Sequence, residues 1–257
     1  MSTGHLSEIP ACGRTKYLTE TMIKFFRKIR YDLMEKNKTG KYLKYAIGEI
    51  TLVVIGILIA LSLNNWNQRR TQHKEELRYY TNIKRQLIED NYVIRKNIDF
   101  NQFYYEQYQF AIELIENNDK SKLDTLGIIA VNLLEYSDFH QETNAYQSLV
   151  NSGEIKLLNN QEIIEGLQRL EEIYIYINRI EESHFEIIKL IFPELNEIIR
   201  FRSIKVENED LLFKYQFQNY FITSSEIMKE KDEIYNKATD EIIAILGLID
   251  KELGISG

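Results

Sequence analysis

The stretch Glu181-Glu182-Ser183-His184 is where residue types and spacing come nearest to chemistry. A separation of three puts the Glu181 carboxylate and the His184 imidazole on one face of a helix, the pairing that di-iron carboxylate bundles use to hold metal. Such bundles need a second Glu-x-x-His and further glutamates, and the 257 residues contain no second pair. The zinc-protease HExxH pattern is also absent. His184 is therefore expected to be a surface or core histidine. His140, beside Asp138, and His73 stand in polar company without ligand spacing.

Other catalytic signatures are missing. There is no phosphate-cradling GxxxxGK[ST], no GxGxxG and no GxSxG nucleophile elbow. Cys12 is the sole cysteine, so an intrachain disulfide is excluded. A serine or acid–base site stays open. The expectation is a protein that is not an enzyme, with no catalytic, cofactor-binding or metal-ligating residues and no cofactor.

The elements that must carry these side chains are helical. Two prolines and eleven glycines are too few for the turns of a sheet protein this long. The expected fold class is all-α: a single transmembrane helix followed by a helical-bundle soluble domain of about five or six helices. From Leu77, alternating steps of three and four pick out Leu77, Tyr80, Lys84, Leu87, Asn91, Ile94, Ile98, Asn101, Tyr105, Tyr108, Ile112 and Ile115. That stripe predicts one long helix, continuous with the apolar span or not, packed in a bundle rather than in an isolated coiled coil. Asn117, Asn118 and Asp119 mark a turn. Ser121 with Asp124, Asn159 with Glu162 and Thr223 with Glu226 have capping-box spacing. They predict helices over 122–136, 160–192 and 224–250, with a stop near Pro193, a shorter helix to about Phe201, and another over 208–221.

Tyr45 to Leu63 reads YAIGEITLVVIGILIALSL, nineteen residues with one charge, Glu49. At about 1.5 Å per residue this approaches the roughly 20 residues that cross a bilayer core. Gly48, Gly56 and Ala60 fall at multiples of four and line one helical face. Small residues so spaced let membrane helices approach closely, although Gly and Ala are common in spans generally. Glu49 lies about one turn inside the edge, where a carboxylate must reach headgroups, pair with Lys41 or Lys44, or face a partner helix.

Charge divides the chain. Residues 22–44 carry eight Lys or Arg against Asp32 and Glu35, a net of +6, whereas residues 64–257 carry 22 basic and 34 acidic residues, a net of −12. The positive-inside rule then predicts a cytoplasmic N-terminus, a single pass through the membrane and a body outside the cytoplasm. An acidic body disfavours nucleic acid as a partner. Residues 22–34, MIKFFRKIRYDLM, form a basic amphipathic segment suited to an anionic membrane face. Residues 1–21 lack periodicity, and Met22 is the expected natural start. The expected organisation is thus 1–21 disordered or misassigned, 22–44 cytoplasmic or interfacial, 45–63 transmembrane and 64–257 extracytoplasmic.

The segment from Met22 to Trp66, with MIKFFRKIR, KYLKYAIGEI, LVVIGILIAL and NNWN, resembles the opening of a family of uncharacterised single-span membrane proteins of Gram-negative bacteria. A second similar piece is TNAYQSLVNSGEIKLLNN, Thr143 to Asn160, with its core of Tyr146, Leu149, Ser152 and Gly153. The resemblance implies the single-span architecture and supplies no activity. Those four residues suit a short helix closed by glycine, and a binding role is the alternative.

The functional expectation is a membrane-anchored, non-enzymatic interaction or scaffold protein. Its partners would be the lipid bilayer and either a second copy or another protein; a small-molecule ligand stays unspecified. The alternative is a periplasmic ligand-sensing module that signals through a membrane partner. A filled core with exposed apolar surface favours the first, and an apolar pocket with convergent polar groups favours the second.

Overall fold

The computed structural model describes residues 24, 27, 28, 31, 39–140 and 145–255. The expectations for residues 1–21, and most of those for the basic segment, lie outside the described residues. Lys24, Arg27, Lys28 and Tyr31 are helical and exposed. The chain divides into two compact units, Met1–Arg70 and Thr71–Gly257. The all-α class holds. In order, the elements are α1 (Thr39–Glu116), α2 (Leu123–Val131), α3 (Ala145–Ser152), α4 (Gln161–Ile198), the two-residue strands β1 (Ile199–Arg200) and β2 (Lys205–Val206), α5 (Glu209–Leu212) and α6 (Tyr215–Glu252). The apolar stretch and the stripe from Leu77 belong to one helix, α1, which is long and apolar enough to cross a membrane.

Within the first unit, the side chains from Ile47 to Leu63 are exposed. Thr51 returns its hydroxyl proton to the Ile47 carbonyl at 2.8 Å, which satisfies a polar side chain inside an apolar helix.

The second unit is a bundle of α4, α6 and the later part of α1. Side-chain pairs fix its register. Asn97 with Tyr235, Asn101 with Asp232 and Gln218 with Glu116 run α6 antiparallel to α1. Tyr80 with Asn160 and Tyr174 with Asp90 run α4 parallel to α1. Parallel neighbours need a return crossing, and residues 117–140 with 145–160 belong to it. Asn132 meets Gln107, Ser137 meets Asn101 and Asn159 meets Glu76, so this segment descends beside α1.

Five predicted boundaries are corrected. Pro193 lies inside α4 rather than ending it. Its missing N–H would have served the Lys189 carbonyl, and both residues are exposed, so solvent can take the lone pairs. Ile188, Ile191, Leu195 and Ile198 are buried on both sides of the proline and hold the helix against the core. Thr223 opens no helix: α6 begins at Tyr215 and passes through it, with Phe221 and Met228 buried on either side. The piece predicted over 208–221 is accordingly the single turn α5 plus the first turns of α6. The first predicted helix shrinks to Leu123–Val131, flanked by 3-10 turns, and Asp119 rather than Ser121 caps its approach by accepting from the Ser121 N–H at 3.1 Å. The cap of α4 is Asn160, one residue after the predicted Asn159.

Candidate functional site

Two apolar cores fill the bundle. One gathers Tyr80, Ile83, Leu87 and Ile94 of α1 with Leu167, Leu170, Ile177, Ala238, Ile242 and Ile245. The other gathers Tyr108, Ala111 and Leu114 of α1 with Ile191, Leu195, Phe217, Phe221 and Met228. Between them, at residues 97–101, 181–184 and 231–235, lies a buried polar layer.

Its members come from α1, α4, α6 and the segment between α2 and α3. Lys231 is 1% exposed, and its Nζ donates to the Ser137 carbonyl at 2.7 Å. The Ser137 hydroxyl donates to Asn101 Oδ1 at 2.8 Å, and Asn101 Nδ2 donates to Asp232 Oδ1 at 2.8 Å. Glu181 accepts the Tyr235 hydroxyl and, at 2.9 Å, the Phe139 backbone N–H. His184 is fully buried, edge-on to the Tyr136 ring at 6.2 Å, with no hydrogen-bond partner for either ring nitrogen.

Burial sets the electrostatics. It raises the Glu181 carboxyl above its ordinary range, partly offset by the Tyr235 hydroxyl, the Lys231 charge and the Phe139 N–H. Burial lowers Lys231 to about 8, against the opposing pull of Glu181, Asp138 and Asp232. His184 is pushed down to about 3, by burial first and then by Lys231. Tyr235 is raised by burial and by Glu181. The layer therefore holds one ammonium, one neutral imidazole and carboxylates that answer one another.

Glu181 and His184 do share one buried face of α4, as their spacing predicts. No group of three or more His, Cys, Asp or Glu among the described residues is arranged to hold a metal ion. Lys231, Asn101, Ser137 and Asp232 were not singled out from sequence. Asn101 did carry a signal, being a polar residue inside an apolar stripe, and Lys231 likewise interrupts the series Met228, Tyr235, Ala238.

The motif residues lie elsewhere. Leu149 is buried in the first core and Tyr146 packs against it. Gly153 takes the left-handed φ of +71° after α3, which a side chain would resist. The Ser152 hydroxyl donates to the Leu149 carbonyl at 3.3 Å. Further along, Asn159 donates its backbone N–H at 2.7 Å and its Nδ2 at 2.9 Å to the Glu76 carboxylate. Glu76, 4% exposed, also accepts the Tyr80 hydroxyl at 3.0 Å. In the first unit, Gly48 and Gly56 have nothing within 4 Å of an added Cβ. Glu49 and Ala60 are exposed on the same helix.

An aromatic strip runs along the outer side of α4. Phe185 and Phe192 stand seven residues apart, 41% and 51% exposed. Tyr136 lies 5.5 Å from the Phe185 ring, and Phe201 stacks on Phe192 at 5.8 Å. Lys189, between them, places its Nζ 4.7 Å from the Phe185 ring.

Compared with known proteins, residues 49–219 match the model of a family described as a family of unknown function (DUF6090), over more than half of the chain. No curated protein and no solved structure matches.

Proposed function

The chain belongs to this family of unknown function, and from that premise we propose that it is a membrane-anchored, non-enzymatic interaction or scaffold protein. It crosses the bacterial inner membrane once, through Tyr45–Leu63, with its N-terminus cytoplasmic and residues 64–257 periplasmic. Support for the orientation is the net charge of +6 over residues 22–44. A reporter active only outside the cytoplasm, fused after Gly257, is expected to be active; silence would reverse the orientation.

The observation that carries the interaction reading is the aromatic strip of Tyr136, Phe185, Phe192 and Phe201. Paired, partly exposed rings, Phe192 stacked on Phe201 and Phe185 tilted against Tyr136, offer a large apolar contact at small entropic cost, the composition of protein contact surfaces. Of the polar groups beneath, Lys231, Ser137, Asn101 and Asp232 are bonded in series and Glu181 is bonded to Tyr235, while His184 is fully buried, which favours a partner surface over ligand sensing. Self-association through Gly48, Gly56 and Ala60 is the membrane half of the same proposal.

The test is a photocrosslinking residue at Phe192 in the full chain in native membranes, with Lys237 on α6 as the control position. Discrete adducts at Phe192 and none at Lys237 are expected. Adducts of equal yield at both positions, or at neither, would defeat the assignment of this surface.

A further inference from the structure

Seven exposed residues, Asn64-Asn65-Trp66-Asn67-Gln68-Arg69-Arg70, follow the apolar stretch within the first unit. Trp66, Arg69 and Arg70 stand at i, i+3 and i+4, so they share one side of the helix. The Arg70 guanidinium carbon lies 5.7 Å over the Trp66 ring. No Asp or Glu occurs between Glu49 and Glu75, which leaves both arginines without an acid one helical turn away. Some cations of the second unit are ion-paired. Arg169 pairs with Glu241 at 2.8 Å, Lys120 with Glu209 at 3.0 Å and Arg200 with Glu207 at 3.0 Å. Arg69 and Arg70 are thus two adjacent, exposed cations at the end of an apolar helix stretch, in a sequence stretch 64–257 whose net charge is −12.

We propose that Trp66, Arg69 and Arg70 form a binding face for the headgroups of anionic phospholipids. The proposal rests on the reading of Tyr45–Leu63 as a membrane span. At about 1.5 Å per residue, Arg69 and Arg70 stand roughly 9–10 Å beyond Leu63, and their long side chains reach back toward the headgroup layer. The guanidinium is a planar donor fork that fits a phosphodiester through two hydrogen bonds, a match that an ammonium lacks. An indole at the same level anchors in the interface and keeps the guanidinium stacked and oriented. A headgroup that carries net negative charge is then favoured over a zwitterionic one, because the latter brings its own cation to compete for the phosphate. The basic residues 22–44 precede the span in sequence, so a face after it gives the other leaflet its own anionic contact.

Trp66 is the only tryptophan in the chain, so its fluorescence reads this position alone. The full-length protein is reconstituted in vesicles of equimolar phosphatidylglycerol and phosphatidylcholine, with bromines on the upper acyl chain of one lipid class at a time. Brominated phosphatidylglycerol is expected to quench as though enriched about two- to fivefold around Trp66. The double substitution Arg69→Gln/Arg70→Gln should bring the two lipids to parity while quenching persists. Equal quenching in the unaltered protein overturns the proposal, and so does a bias that survives the double substitution. Millimolar inorganic phosphate at constant ionic strength should leave the bias in place; its loss would reassign the face to a soluble anion. Failure of both brominated lipids to quench would instead remove the span reading on which the proposal stands.

Discussion

Lys231 of α6 donates from Nζ to the Ser137 carbonyl at 2.7 Å, joining residues 94 apart in the chain while only 1% exposed. A buried ammonium is stabilised only by the dipoles and carboxylates that face it, here the Ser137 carbonyl with Glu181, Asp138 and Asp232. Lys231→Met is therefore expected to lower unfolding free energy by about 1–3 kcal/mol, because it orphans the carbonyl and leaves Glu181 without its nearby cation. Adding Glu181→Gln should return part of that loss, so the double variant is less destabilised than the two single costs combined, by about 0.5–3 kcal/mol. Urea unfolding of the full chain in detergent, followed by helical circular dichroism, measures this cycle. Strict additivity would mean that the two groups do not share one electrostatic site.

His184 gives the bundle an acid sensitivity of defined sign. Its folded value is held down to about 3 from the ordinary 6.5, by burial first and by Lys231 second. The unfolded chain takes up this proton as pH falls through 6.5, and the folded chain resists until about 3. Stability contributed by the neutral imidazole is thus whole above 6.5 and is lost as pH drops from 6.5 toward 3. Glu181 works the other way, since its raised carboxyl favours the folded state as acid is added. The comparison is cleanest in a Glu181→Gln background. There, His184→Gln should reduce the fall in unfolding free energy between about pH 7 and pH 5 by about 1–2 kcal/mol. An unchanged slope would place the acid sensitivity on another group.

Much of the bundle was legible because its helices carry their own apolar stripes. Nine of the twelve stripe positions from Leu77 to Ile115 are apolar, and the helix they predict is present throughout. The polar interruptions were where sequence reasoning stopped. Asn101 belongs to the buried layer, whereas Lys84 pairs with Asp250 at the flank of the bundle. Periodicity treats both as the same kind of break, because it carries no information about which residue of a distant helix will stand opposite. Local chemistry also misled where tertiary contacts outweighed it. Pro193 and Thr223 are sound stop and start signals in isolation, yet each sits among buried side chains that hold the helix continuous.

Glu76 ties the segment before α4 to α1 through four donors. Burial pushes its carboxyl up, but the Asn159 backbone and side-chain N–H groups, the Tyr80 hydroxyl and His73 outweigh it, and the net shift is downward. That stabilisation is present above the ordinary carboxylate value of 4.5 and is lost as pH falls through the depressed folded value. Glu76→Ala is expected to cost about 1–3 kcal/mol, since it strands two Asn159 donors and the Tyr80 hydroxyl. Amide exchange should quicken first at Asn159 and Asn160, whose N–H groups face Glu76 and Tyr80. Exchange that quickens evenly across the bundle would mean that Glu76 is not a local tie.

Two helical glycines separate close packing from mere flexibility. A Cβ at Gly166 of α4 would lie 2.8 Å from Ile245 Cγ1 and 3.3 Å from Glu241 Oε1, the oxygen that also accepts from Arg169. A Cβ at Gly247 of α6 would meet nothing within 4 Å. Alanine improves helix propensity at both sites by about 0.5–1 kcal/mol. At Gly247 nothing opposes that gain, so Gly247→Ala should stabilise by about that amount. At Gly166 the methyl must displace Ile245, which is 1% exposed and locked in the first core, or push α4 and α6 apart. Overpacking of this kind costs about 1–3 kcal/mol, and it exceeds the propensity gain. The two alanine variants are thus expected to move the urea midpoint in opposite directions. Stabilisation by Gly166→Ala would mean that α4 and α6 have slack at this crossing, and the register that brings Glu181 to Tyr235 would then need another source than close helix contact.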